Sequence, residues 1–148
     1  MPSTIKLHRV FKTTPERLYK AFIDPQAMVK WLPPHGFTAK VDKCDARVGG
    51  TYHMSFTNFS TGSSHSFGGE YLELVPGKRI VHTDRFDAGL AGTMTVTIDI
   101  KKVMVGTELH VTQEGVPDVI PAEACYLGWQ ESLALLTKPA EAEIPDQP

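Results

Sequence analysis

Cysteine is scarce in this chain. Only Cys44 and Cys125 occur among 148 residues. They lie far apart and form no CxxC pair, which leaves a disulfide scaffold or a cysteine-based zinc site without support. Long apolar runs are missing as well. No stretch approaches the ~18 residues of a membrane span, and the opening MPSTIKLHRVF has no signal-peptide pattern, so a cytoplasmic protein with no membrane partner is expected. Neither sign of charge dominates: 15 Lys and Arg stand against 17 Asp and Glu. Without a basic stripe to neutralise phosphates, no nucleic-acid partner is expected. His35, His53, His65 and His110 show no ligand spacing along the chain, so neither a metal nor another cofactor is expected. The hydroxyls of 57–66 have no partner base, which removes the basis for nucleophilic catalysis there.

What the chain does have is enough apolar residue, 41%, to pack a core, and a length suited to one compact domain. TIKLHRVFK (4–12) alternates Ile5, Leu7, Arg9 and Phe11 against Lys6, His8 and Val10, the pattern of a half-buried strand. Thr14 before Pro15 and Glu16 then starts a helix that ends at Pro25, and QAMVKWL makes a second short helix stopped by Pro33 and Pro34. From Phe37 the period changes to two. FTAKVDK, GGTYHMSF (49–56), FGGEYLELVPG (67–77), KRIVHTDRF (78–86), MTVTIDI and TELHVTQ (107–113) read as six strands in a row. TNFSTGSSHS (57–66) reads as a polar hairpin loop, and DAGLAG and MVG as turns. Short turns make such strands antiparallel neighbours. The alternation gives the sheet one wet and one dry face.

One long element remains to cover the dry face, 120–138. At about 100° per residue, Ala122, Cys125, Tyr126, Trp129, Leu133 and Leu136 form a core-facing stripe. Gly128 falls on the other side, with Ala124, Glu131 and Leu135. A helical Gly costs roughly 0.5–1 kcal/mol relative to Ala. On this wheel its bare backbone does not make room beside Trp129; it admits another backbone behind the helix, from the short N-terminal helices or a second subunit. The remainder from Pro139, PAEAEIPDQP, is expected to be a flexible acidic tail over 139–148, leaving a single domain over 1–138.

The motifs RVFKTTPERLYKAFIDPQAMVKWLPPHGF (9–37), DARVGGTYHM (45–54), GEYLELVPGKRIVHT (69–83), TELHVTQEG (107–115) and GWQESLALL (128–136) together resemble the activator of Hsp90 ATPase homologue 1-like family, a branch of the START/Bet v 1-like (SRPBCC) superfamily. The similarity runs from the first strand through the last helix and makes 1–138 a START-like domain. It implies an α+β helix-grip fold: a seven-stranded curved antiparallel sheet wrapped round a long C-terminal helix, with two short helices between the first and second strands. It implies a cavity between sheet and helix, but fold alone does not decide chemistry. The chain lacks the additional N-terminal domain that eukaryotic Hsp90 co-chaperones of this family carry, so ATPase activation is not expected.

If the dry face is concave, parity turns Phe37, Tyr52, Met54, Phe56, Phe67, Tyr71, Met94, Val96, Ile98, Leu109 and Val111 toward the helix. Trp31 would sit near one mouth, with Tyr126 and Trp129 as the helix lid. Glu73 shares parity with Phe67 and Tyr71; His82 and Asp84 share one with Ile80 and Phe86. Relatives usually carry aromatics at the positions of His82 and Asp84, so the chain departs from its pattern there. Facing inward, Glu73, His82 and Asp84 would form a polar cluster able to act as a general base or to hold a polar head-group. If Val81, Thr83 and Arg85 face inward instead, no cluster exists. Gln113 stands where relatives often have His, and would bond either a ligand or a neighbouring backbone group. Cys125 reads as a small hydrophobe, and Asp45 with Arg47 as a turn-fixing ion pair.

Three functions follow as expectations. The first is a small-molecule binding domain for a hydrophobic or amphipathic ligand, contacted by Trp31, Met54, Phe56, Phe67, Tyr71, Glu73, His82, Asp84, Met94, Gln113, Tyr126 and Trp129. The second is a cyclase- or hydrolase-type enzyme using Glu73, His82 and Asp84. The third is an interaction or co-chaperone-like protein, a homodimer among the options, with Leu127 and Leu135 as an exposed patch.

Overall fold

The computed structural model describes residues 2–87 and 92–146. The chain begins with strand β1 (Ser3–Phe11) and two short helices, α1 (Pro15–Ile23) and α2 (Pro25–Trp31). Thr14 caps α1 by accepting from Arg17 N at 3.2 Å, and Pro15 opens the helix where a missing N–H costs nothing. Asp24 serves both helices. Its backbone N–H donates to Lys20 O at the end of α1, while its carboxylate accepts from Gln26 N at the start of α2. The bend is held by Trp31, which is buried, lies edge-on to Phe22 and donates its indole N–H to Ala21 O at 2.9 Å.

Six strands follow: β2 (Phe37–Cys44), β3 (Thr51–Asn58), β4 (Ser64–Val75), β5 (Arg79–Phe86), β6 (Met94–Val103) and β7 (Gly106–Val116). They form one antiparallel sheet in the order β1-β7-β6-β5-β4-β3-β2. The curved sheet wraps the C-terminal helix α3 (Ala122–Glu141), so the helix-grip architecture expected from the sequence is the one observed. The residues 57–66 are less of a loop than expected, because Thr57 and Asn58 end β3 and Ser64 already begins β4. Of the DAGLAG turn, residues 88–91 lie outside the described residues.

Two local features of β4 place the site. Gly68 and Gly69 let neighbouring strands approach closely: a Cβ on Gly69 would lie 1.9 Å from Thr83 O, and one on Gly68 2.3 Å from Tyr52 O. Further along, the pairing passes from Tyr71↔His82 to Glu73↔Val81, a bulge that inserts one extra residue in β4. Beyond the bulge the inward parity switches, and Leu74 pairs with buried Ile80.

The last helix also runs further than expected. Pro139 lies inside α3, and three residues assigned by sequence to a tail belong to the helix. Pro139 has no N–H to donate to Leu135 O, and neighbouring contacts hold the last turn instead. Ala140 is buried, Glu141 accepts from Lys12 N at 2.9 Å, and the Arg17 guanidinium donates to Ala142 O.

Candidate functional site

Between the sheet and the first half of α3 lies a cavity of about 210 Å³. Its floor is aromatic and aliphatic: Tyr52 and Phe56 from β3, Phe67 and Tyr71 from β4, Ile80 and Phe86 from β5, Val96 and Ile98 from β6. The roof is Cys125, Gly128, Trp129 and Ser132 of α3. Phe22, Met28, Trp31, Leu32 and Pro34 close the side facing the short helices. That side is tied to the roof, since Ser132 Oγ donates to Leu32 O and Glu131 accepts from His35 N at 3.1 Å. The second half of α3 instead packs directly into the core through Leu133, Leu136 and Ala140.

Polar groups enter this apolar enclosure from β5 and β7. His82 is half-buried in the cavity wall, and the burial of its ring pushes its pKa below the ordinary histidine value, leaving it neutral at pH 7. Its Nδ1 donates to Thr83 O at 2.9 Å, and Nε2 is then the nitrogen with a free lone pair. Tyr52 donates its hydroxyl to the same Thr83 oxygen at 3.0 Å. The glycines of β4 permit that arrangement by letting the strand lie against Thr83, whose hydroxyl accepts from Glu70 N. Asp84 lies two residues on. Burial pushes its carboxyl up to about 7, and the Arg85 amide, which favours the charged form, offsets only part of that. Its Oδ1 is buried and has no hydrogen-bond partner among the described residues. On the far wall, Gln113 Oε1 accepts from the Trp129 indole at 2.6 Å and from Cys125 Sγ at 3.5 Å, while its Nε2 meets Met94 Sδ at 3.1 Å.

The family model described as activator of Hsp90 ATPase homolog 1-like protein matches residues 12–141. The chain belongs to this family. A crystal structure of a protein from Chromobacterium violaceum is 57% identical, with a TM-score of 0.94 over 97% of this chain and 100% of that one. A Rhodobacter sphaeroides protein shares the fold at 24% identity and a TM-score of 0.81, covering 92% of this chain and 91% of its own. So does a Staphylococcus epidermidis protein at 17% identity and a TM-score of 0.81, covering 99% and 96%. No curated protein matches the chain.

Within this family fold the expected site residues divide. Trp31, Phe56, Phe67, Tyr71, His82, Asp84, Gln113 and Trp129 all line the cavity. Glu73 does not. The bulge between Tyr71 and Glu73 carries it to the outer face, where it pairs with Arg79 at 3.2 Å, so the three-membered Glu73–His82–Asp84 cluster is not assembled. Tyr126 is 42% exposed and sits outside, in a separate groove with Leu7 and Arg9 of β1. Met54 and Met94 are buried but lie outside the lining, Met94 behind the Gln113 amide. Leu109 and Val111 likewise fill core without reaching the cavity. Of the expected exposed pair, Leu127 is 54% exposed, whereas Leu135 packs against the core.

Two lining residues depart from the sequence reading. His65 falls in the stretch expected to be a loop, yet it belongs to β4, on the parity of Phe67, among the rings of Phe56, Phe67 and Phe86. The signal that finds it is the strand alternation, carried two residues upstream of Phe67. Gly128, expected behind the helix, instead faces the cavity, where an added Cβ would meet nothing within 4 Å.

Proposed function

We propose that the protein binds a small amphipathic molecule in this cavity, its apolar body against the aromatic floor and its polar end against Asp84 and His82. The observation that carries the reading is Asp84 Oδ1, a buried polar atom with no partner among the described residues. Such a group costs about 1–3 kcal/mol when left unpaired, and a ligand head-group would remove that cost. His82 offers a lone pair beside it, so the fitting head-group carries both a donor and an acceptor, as an amide, carboxylic acid or phenol does. The volume exceeds the ~150 Å³ that admits benzene in an apolar cavity, so about one or two fused rings or a short acyl chain fit. An acid–histidine dyad of the hydrolase kind finds no support, because Glu73 faces outward and the His82 Nδ1 proton is taken by a backbone carbonyl.

The test is ligand-induced stabilisation with a panel of phenols, bicyclic aromatic acids and amides, and medium-chain fatty acids. A true ligand at a hundred times its Kd adds about 2.7 kcal/mol to stability. Gly128→Leu projects a side chain into the empty space and should abolish that gain while the protein remains folded. If no compound stabilises the chain, or if Gly128→Leu responds as the parent does, binding in this cavity is ruled out.

A further inference from the structure

A second cluster lies on the opposite, solvent-facing side of the sheet. His8 of β1 and His110 of β7 stand directly across from one another in the antiparallel pairing, with ring centroids 4.6 Å apart. Glu108 lies two residues before His110, so its side chain emerges on the same face. Its Oε1 is 3.5 Å from His8 Nε2 and contacts His110 Nε2. One ligand atom from each residue therefore lies within 4.8 Å of both others. Nothing in chain order announces this trio. His8 and His110 lie far apart in the sequence, on the first and last strands, and only the register of β1 on β7 joins them.

We propose that His8, Glu108 and His110 form a surface binding site for a divalent transition-metal ion, with Zn²⁺ as the representative. Two imidazoles and one carboxylate suit Zn²⁺, Ni²⁺ and Cu²⁺ rather than Mg²⁺ or Ca²⁺, which prefer oxygen ligands. Donors on a tetrahedral Zn²⁺ at about 2.1 Å stand roughly 3.4 Å apart. The His8–Glu108 separation of 3.5 Å already meets that spacing. Rotation about side-chain χ angles sets the other separations, the Glu108–His110 contact opening to admit the ion, since His8 and His110 are both exposed. The three protein ligands leave the fourth position to water. The surroundings temper affinity without blocking the site. Lys101, across from Glu108 on β6, disfavours a cation, while Asp99, across from His110, is occupied by Arg79.

The experiment titrates Zn²⁺ into the chelator-treated full chain by calorimetry. Binding of one equivalent at micromolar concentration is expected. His8→Ala and His110→Ala should each weaken it by more than the roughly 10–100-fold that loss of an outer-shell partner costs. Lys101→Ala should strengthen it. His53→Ala removes the histidine held between two carboxylates, Asp42 and Asp87, and should leave binding unchanged. Substoichiometric Cu²⁺ should broaden the His8 and His110 ring signals in NMR spectra before any others. Absence of Zn²⁺ binding, parent-like affinity in His8→Ala with unchanged circular dichroism, or loss of binding in His53→Ala would each overturn the proposal.

Discussion

Asp84 is an acid whose folded environment favours its proton. Its carboxyl titrates near 7 in the folded chain against an ordinary value of 3.8, with burial as the cause. Below about pH 4 both folded and unfolded chains hold the proton and no difference arises. Between about pH 4 and pH 7 the unfolded chain gives it up while the folded chain retains it, so stability falls as pH rises through that window. His82 acts with the opposite sign. Its depressed pKa means that the unfolded chain takes up a proton first, and stability is lost as pH falls below the ordinary histidine range. Asp84→Asn separates the two. The variant should gain stability over the parent at pH 8, by up to a few kcal/mol, since each tenfold change in proton affinity corresponds to ~1.4 kcal/mol. Its curve should also lose the decline between pH 4 and 7 while keeping the acid-side fall due to His82. Urea unfolding across that range checks it; parallel curves for parent and variant would mean that Asp84 is ionised and hydrated in the folded state.

At the scale of elements, the last helix shows both the reach and the limit of reading a sequence. A wheel drawn from apolar residues centres the stripe between Trp129 and Leu133 and puts Gly128 behind. The buried set also includes Ser132, whose hydroxyl is satisfied by Leu32 O, and that residue turns the true centre by a few tens of degrees. Tyr126 thereby moves out to solvent and Gly128 moves in. A serine that is buried because it has one good partner carries no apolar signal, so the wheel cannot weigh it. Strand alternation is legible wherever the ladder is regular: Ile80, His82, Asp84 and Phe86 do share the inward face. It fails at Glu73, because a bulge resets parity and leaves no mark in composition. The helix supplies its own prediction. An added methyl at Gly128 meets open space, so Gly128→Ala should raise stability by about 0.5–1 kcal/mol through helix propensity alone. A loss in the urea midpoint would show that the roof of the cavity lies too close to the floor to admit a methyl.

On the scale of the whole molecule, the order of elements, the single sheet and the long covering helix are all written in the chain, because turns and periods are local signals. What covers what is not. The cavity sits under only the first half of α3, and the His8–Glu108–His110 trio exists only through the register of the first strand on the last. The empty space has a consequence that binding does not exhaust. A folded protein with a void occupies more volume than its unfolded chain in water, and hydrostatic pressure favours the smaller state. The volume change of unfolding should therefore be more negative for the parent than for Gly128→Leu, and should shrink likewise when a ligand fills the space. High-pressure fluorescence of Trp31 and Trp129 follows that transition. Identical volume changes in both proteins would mean that water already fills the gap, so that the cavity beneath Gly128 would belong to the solvent rather than to the fold.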